Sequence, residues 1–494
     1  MSKRIVIIGG GIAGLSAGIY SQRNGFDTEI IEMNNLPGGQ CTAWDRKGYR
    51  FDHCLHWLVG TARGPYHQIW KETNVINDGV KIIDQEIHTK VVDENGDEFI
   101  IYTNIDRWKN YLLEMAPEDS ISINRMCNEM KKISILETSS NPPGMRSWVD
   151  SLNMYIKIMP VIPLFLRYKT KTVHDYIEIL NFKNRRLIYF LDALYGQSDF
   201  SVIAFLMMLS WFDQNNAGYL VGGSLPLTIR MSEKYKALGG KLSLVNKADK
   251  IIVSNDKATG IILSNGTRID ADYVISAADG YTTIFKMLDG KYQTEQIKEA
   301  YTSWPLFTPF VQVSFGINKK IKSTVANQLF LAKGMSIGRT SLEKGYTLMN
   351  YSFDTTMAPR EKTVIILRFE SPWELWKDLS GEEYLTEKKQ IEKDAVAILK
   401  KQFPEVDQYL EVIDIATPKT GVRYTGVWKG SYEGFLPTNQ NLTKNIGMTL
   451  PKLNNFYMCG QWLSPGGGIP PAAQSGKWAI QLICKKEQMK FTAE

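Results

Sequence analysis

Cysteine is scarce. Cys41, Cys54, Cys127, Cys459 and Cys484 are scattered through 494 residues and odd in number. That argues for a reducing cytoplasm rather than a disulfide framework. No cysteine pair has zinc-site spacing. His53, Cys54 and His56 lie close together, but a second ligand cluster is missing and structural zinc needs four ligands. No apolar run is long enough to cross a membrane. No block of lysine and arginine and no nucleic-acid motif occurs, and a net charge of +6 is too mild to imply a nucleic-acid partner. Repeats and low-complexity tracts are lacking. The first strand starts by Arg4, which leaves no room for a signal peptide, so a cytoplasmic location is expected. Nothing in the sequence speaks to oligomeric state.

What is present begins at the N-terminus. Arg4 to Ile8 is a continuous apolar run, as expected for a strand buried on both faces. Gly9-Gly10-Gly11-Ile12-Ala13-Gly14 follows at once. In a dinucleotide fingerprint Gly9 permits the turn, Gly11 lets the backbone approach a pyrophosphate, and Gly14 lets the helix pack on the strand. A helix is predicted from Leu15 to Asn24, closed by Gly25, then a strand from Asp27 to Ile31 ending in Glu32. An acid at that distance is placed for a ribose hydroxyl. The phosphates would sit on the helix N-terminus, where free N–H groups attract anions. Asn34 to Gln40 then brings a second glycine pair, Gly38-Gly39.

A chain this long predicts two or more domains. Gly48 to Trp57 reads as a strand pair, and Pro65 to about Trp211 as mostly helical. Within that part, Met154 to Leu166 is apolar and carries basic flanks at Lys157, Arg167, Lys169 and Lys171. Its two prolines argue against a span. It is either a helix pair packed inside the domain or a segment dipping into an anionic membrane. Ala204 to Phe212 reads as core, although methionine and aromatics also suit a lipid cavity. A helical stretch ends at Gly239-Gly240, and short strands follow at Lys241–Val245, Lys250–Val253 and Gly260–Leu263, with Asn265-Gly266 as a hairpin signal. A buried strand returns within Ala271–Asp279. A second sheet is expected from Pro305 to about Pro418, including Phe310–Phe315 and Thr363–Phe369, with a helix from Glu382 to Gln402. The chain closes with a strand, Asn455–Gly460, a glycine-rich loop, Gln461–Gly468, and a helix opened by Pro470-Pro471. The positive end of that helix could face an electron-rich ligand ring.

On these motifs the chain resembles the phytoene desaturase, carotenoid isomerase and retinol saturase family of FAD oxidoreductases. The resemblance runs through Gly9, Gly11, Gly14, Glu32, Gly38, Gly39, Gly222-Gly223, Gly239-Gly240 and Asp272. Asp354 to Pro359 is similar to the family's Asp-Pro-x-x-x-Pro-like segment, and Pro465 to Pro470 matches its closing pattern with one extra glycine. Two departures stand out: Gly460-Gln461 where many relatives have Gly-Asp, and Cys54 where many have glycine. The resemblance implies an α/β fold: a discontinuous Rossmann-like FAD domain (1–64, 215–300, 419–494) with an inserted mixed-sheet and helical substrate domain (65–214, 301–418). It implies bound FAD, with Gly9, Gly11, Ile12, Ala13, Gly14, Glu32, Gly38, Gly39, Gln40, Ala248, Gly460, Gln461, Gly468 and Ile469 as the binding set. It implies hydride chemistry on C=C or CH–CH bonds of a long apolar substrate, taken from a membrane by a peripheral contact. The redox direction and electron partner are not legible. His53 and His56 are the side-chain candidates for a proton carrier, because histidine titrates near neutral pH. Two other readings share the fold: a flavin amine oxidase and a non-enzymatic lipid-chain carrier like the GDP-dissociation inhibitors.

Overall fold

The computed structural model describes residues 2–137, 139–142, 145, 148–195 and 200–494. Strand β1 (Arg4–Ile8), helix α1 (Ile12–Arg23) and strand β2 (Asp27–Ile31) form the N-terminal unit. The helix starts three residues earlier than its apolar pattern predicts, because Gly11 rather than a polar side chain caps it. It ends at the Asn24 cap, with Gly25 beyond it in the left-handed region at φ +77.

β1 lies between β2 and Tyr273–Ser276 in an all-parallel sheet whose edges are Lys241–Ser243 and Phe456–Met458. The central strands are apolar throughout because helices cover one face and the three-stranded meander Ala248–Ser254, Lys257–Leu263 and Arg268–Asp270 covers the other. On the helical face, Ser16 Oγ donates to the Ala473 carbonyl at 2.6 Å, locking α1 to the C-terminal helix Ile469–Lys486.

The second sheet has seven mixed strands in the order Leu410–Ala416, Phe310–Ile317, Thr363–Glu370, Gly345–Asn350, Asn327–Leu331, Ile87–Val92 and Glu98–Tyr102. The last two strands come from the stretch whose sequence reads as helical. They form a hairpin, and Ile87–Val92 pairs in parallel with Asn327–Leu331. Helices within 105–133, 162–195 and 202–213 pack a separate core beside this sheet. Met154 to Leu166 does form a helix pair, Trp148–Ile158 and Ile162–Tyr168. Its apolar residues are not all inside. Tyr155, Ile156, Met159 and Leu166 are exposed, while Val161 and Tyr168 are buried. No helix among the described residues is long and apolar enough to cross a membrane.

Candidate active site

A cavity of about 1490 Å³ joins the parallel sheet to the seven-stranded sheet. That exceeds an ordinary small-molecule pocket of roughly 300–1,000 Å³. At one end it is walled by glycine turns. Gly9, Gly11, Ile12, Ala13, Glu32, Gly38, Gly39, Gln40, Ala248, Gly460, Gln461, Gly468 and Ile469 all line it. Gly14 does not line it. A Cβ on Gly14 would stand 1.9 Å from the Gly9 carbonyl oxygen, so this glycine serves the contact between helix and turn. A Cβ on Gly11 would meet only ordinary contacts, the nearest being the Gly38 oxygen at 3.7 Å. The protein itself does not require glycine there. The open space beside Gly11 fits the room that a pyrophosphate would need.

Glu32 is buried. Its Oε2 accepts from Gly10 N–H at 2.7 Å, and its Oε1 accepts from Asn34 N–H and from Asn34 Nδ2, each at 2.9 Å. These bonds aim the carboxylate along the turn, and a carboxylate has about four acceptor sites, so capacity remains for a ribose hydroxyl. The second glycine pair docks on the first turn: Gly38 N–H donates to the Gly10 carbonyl at 2.9 Å. Opposite, Gly460 N–H donates to Ser475 Oγ at 2.8 Å, and the loop through Gly468 presents the N-terminus of the C-terminal helix to the cavity. Pro470 and Pro471 occupy the first helical turn without losing a bond.

The other end is apolar. Trp57, Ile203, Ala204, Met207, Met208, Trp211, Phe212, Leu329 and Phe353 line it. Helix Val202–Asp213 therefore has two roles. Phe205, Leu206 and Leu209 are core, and the opposite stripe walls the cavity, so both readings of Ala204–Phe212, core and cavity lining, apply to one helix.

Between the two ends stands a polar group built on Arg368. Its Nε and Nη2 donate to Gln312 Oε1 at 2.9 and 2.7 Å, and Nη2 also donates to the His53 carbonyl at 2.7 Å. Its Nη1 bonds His56 Nε2, and the guanidinium lies over the Phe310 ring at 4.6 Å. His56 has an accessible face, but that face opens into the cavity. Burial and then the Arg368 charge hold His56 well below the usual histidine range, and the same two causes bring His53 down to about 3. Both rings are neutral near pH 7, so the reason for selecting them as proton carriers falls away. The polar residues here that sequence reasoning passed over are Gln312, Arg368, Tyr432 and Glu433. A guanidinium within the apolar strand Thr363–Glu370 was the available signal for Arg368; the loop Ser431–Gly434 offered none.

Asp52 and Asp354, both buried, brace the site from behind. Asp52 Oδ1 accepts from Cys54 N–H, Leu55 N–H and Ser224 Oγ, while Asp354 Oδ2 accepts from Tyr219 Oη and Gly222 N–H. Together they fix the Gly222–Gly223 turn. Cys54 lines the cavity as a free thiol.

Fold and site define an FAD-dependent oxidoreductase whose nucleotide cradle opens onto an apolar chamber. The chain belongs to the flavin containing amine oxidoreductase family, whose model matches residues 12–484. It is 25% identical to prolycopene isomerase 1, chloroplastic, of an Oncidium hybrid cultivar, over 95% of this chain and 82% of that protein. It is 21% identical to phytoene desaturase (neurosporene-forming) of Cereibacter sphaeroides, over 100% of this chain and 97% of that one. Among solved structures, an oxidoreductase from Methanosarcina mazei shares the fold at a TM-score of 0.62 and 17% identity, covering 97% of this chain and 100% of that one.

Proposed function

We propose that the protein moves hydrogen to or from C=C or CH–CH bonds of a long apolar, carotenoid- or isoprenoid-like substrate. The observation that carries this reading is the single continuous cavity, with the glycine cradle at one end and the Met207, Met208, Trp211 and Phe212 wall at the other. The curated relatives named above are enzymes of polyene chemistry, which supports the same reading. FAD would be held by the fourteen residues named from the sequence, thirteen at the cavity wall and Gly14 behind them. When bound it supplies hydride chemistry. The protein's part is to exclude water, align the chain and hold Arg368 beside the reacting region. We assign the cradle to segments 1–64, 215–300 and 419–494, and the substrate chamber largely to 65–214 and 301–418.

The family name also favours an amine substrate. A protonated amine would meet the half-buried Arg368 cation, which makes no salt bridge among the described residues although the Asp52 charge acts on it. We also assign the exposed apolar face at Tyr155, Ile156, Met159 and Leu166, with basic Arg167, Lys169 and Lys171 beside it, as a peripheral contact with an anionic membrane. The test is incubation of the yellow protein with prolycopene, phytoene and putrescine, with products separated by chromatography. Conversion of a polyene supports the reading, and conversion of the amine alone defeats it.

A further inference from the structure

Glu433 is a carboxyl at the cavity wall, beside the closing glycine loop, that the site described above leaves without a task. It sits in the loop Ser431–Gly434, held from below: Ser431 Oγ donates to the Gly434 carbonyl at 2.9 Å, and Phe307 N–H donates to the same carbonyl at 3.0 Å. On one side it lies against the closing glycine loop. A Cβ on Gly468 would stand 2.5 Å from Glu433 Oε1, and one on Gly467 would stand 2.5 Å from the Glu433 carbonyl oxygen. On the other side, the neighbouring Tyr432 ring packs 5.2 Å from Phe310, which in turn lies 5.2 Å from the His53 ring. The carboxyl therefore stands at the cavity wall between the closing glycine loop and the Tyr432, Phe310 and His53 rings. Both Tyr432 and Glu433 line the cavity.

We propose that Glu433 is the proton carrier of this site, exchanging a proton with a substrate carbon while the hydride moves between the adjacent carbon and the flavin. The step balances in both directions. In saturation, one carbon of the C=C bond gains the hydride from reduced FAD and the other gains the Glu433 proton, leaving CH–CH, oxidised FAD and a carboxylate that water reprotonates. In desaturation the same atoms run backward, with the hydride going to oxidised FAD and the proton to the carboxylate. In isomerisation, protonation of one alkene carbon frees rotation and return of a proton to the carboxylate restores the double bond, with no net redox change. This deepens the polyene reading above and rests on it.

Chemistry favours this residue over its neighbours. Alkene carbons are protonated by a neutral acid in a dry setting, not by a solvated carboxylate. No cation pairs with Glu433 among the described residues, and burial alone raises its carboxyl to about 7. The titratable group beside it is Tyr432, whose hydroxyl burial pushes up and keeps neutral. Arg368 and Glu370 act on that tyrosine rather than on the carboxyl. His53 and His56 are held neutral and low, so neither can deliver a proton near pH 7. An acid is most effective when its pKa lies near the working pH.

The test has two arms, both on the FAD-loaded full chain. In the first, infrared difference spectra are recorded across a pH titration. A protonated-carboxyl band that disappears with a midpoint near 7 and is absent from Glu433→Gln supports the proposal; no such band overturns it. In the second, prolycopene is incubated with the reduced enzyme in D2O and recovered for mass spectrometry. The wild type should place solvent deuterium in the polyene about a hundredfold faster than Glu433→Gln, with Glu433→Asp recovering part of the rate and the flavin spectrum unchanged. Equal deuterium in wild type and Glu433→Gln, or turnover without deuterium, overturns the proposal. So does a shifted flavin potential with unaltered exchange, which would make Glu433 only an electrostatic neighbour. If the wild type converts no polyene, the function proposed above fails, and the infrared titration still decides whether Glu433 holds a proton.

Discussion

Gly11 and Gly14 belong to one motif and are glycine for opposite reasons. A side chain on Gly14 would drive a carbon to 1.9 Å from the Gly9 carbonyl, whereas one on Gly11 finds ordinary space. Gly14→Ala should therefore lower stability by about 1–3 kcal/mol, the usual cost of overpacking, read by denaturant unfolding. Gly11→Ala should leave unfolding unchanged and weaken FAD retention tenfold or more, about 1.4 kcal/mol, read by equilibrium dialysis. A yellow Gly11 variant with wild-type affinity would refute the assignment of the cradle. Glu433 gives a second prediction, with a definite sign. Its carboxyl rises from an ordinary 4.5 to about 7 in the folded chain. Between those values the folded state binds more protons than the unfolded state, so stability is full below about 4.5 and declines as pH rises to about 7. Glu433→Gln removes that decline. Thermal melts at pH 5 and pH 8 should show the variant gaining on the wild type at the higher pH, and an unchanged gap would contradict the raised carboxyl. The glycines were legible in sequence because their spacing encodes backbone geometry. Glu433 was not, because burial by distant elements creates its behaviour.

Helix Val202–Asp213 shows the same limit for a whole element. It is apolar all round, so hydrophobic periodicity cannot separate a core face from a cavity face. Its existence was readable and its double role was not. That role makes a paired prediction. Leu206 is fully buried, and Leu206→Ala should cost about 2–5 kcal/mol of stability. Ala204 faces the cavity, so Ala204→Phe should leave the fold and the flavin intact while narrowing the chamber and abolishing polyene binding. Fluorescence quenching on polyene titration would read this, and normal binding in Ala204→Phe would place the substrate elsewhere. The hairpin Ile87–Tyr102 was missed for a related reason. Its strands are short, and what stabilises them is pairing with Asn327–Leu331, more than two hundred residues away. The N-terminal strand–helix–strand unit was readable because its contacts are local, and the closing helix because its prolines and glycines mark its start.

The whole molecule brings a nucleotide cradle and an apolar chamber together from distant segments, and the membrane contact proposed above would give an apolar substrate a way in. The helix pair 148–168 presents Ile156 and Met159, 56% and 55% exposed, and both can be changed without opening the core. Ile156→Ser with Met159→Ser should weaken binding to anionic vesicles, since each apolar side chain withdrawn from water contributes roughly 1.5–3 kcal/mol. High salt should weaken it further, because Arg167, Lys169 and Lys171 add roughly 1 kcal/mol each at an anionic surface. Co-sedimentation reads both effects, and unaltered vesicle binding would reject the contact. The central claim, that flavin and apolar chain meet in one cavity, is tested most directly by anaerobic stopped-flow absorbance of the oxidised holoenzyme mixed with phytoene. The account predicts loss of the flavin band together with growth of a longer polyene chromophore, while putrescine leaves the flavin oxidised. Reduction by putrescine with no response to phytoene would contradict it.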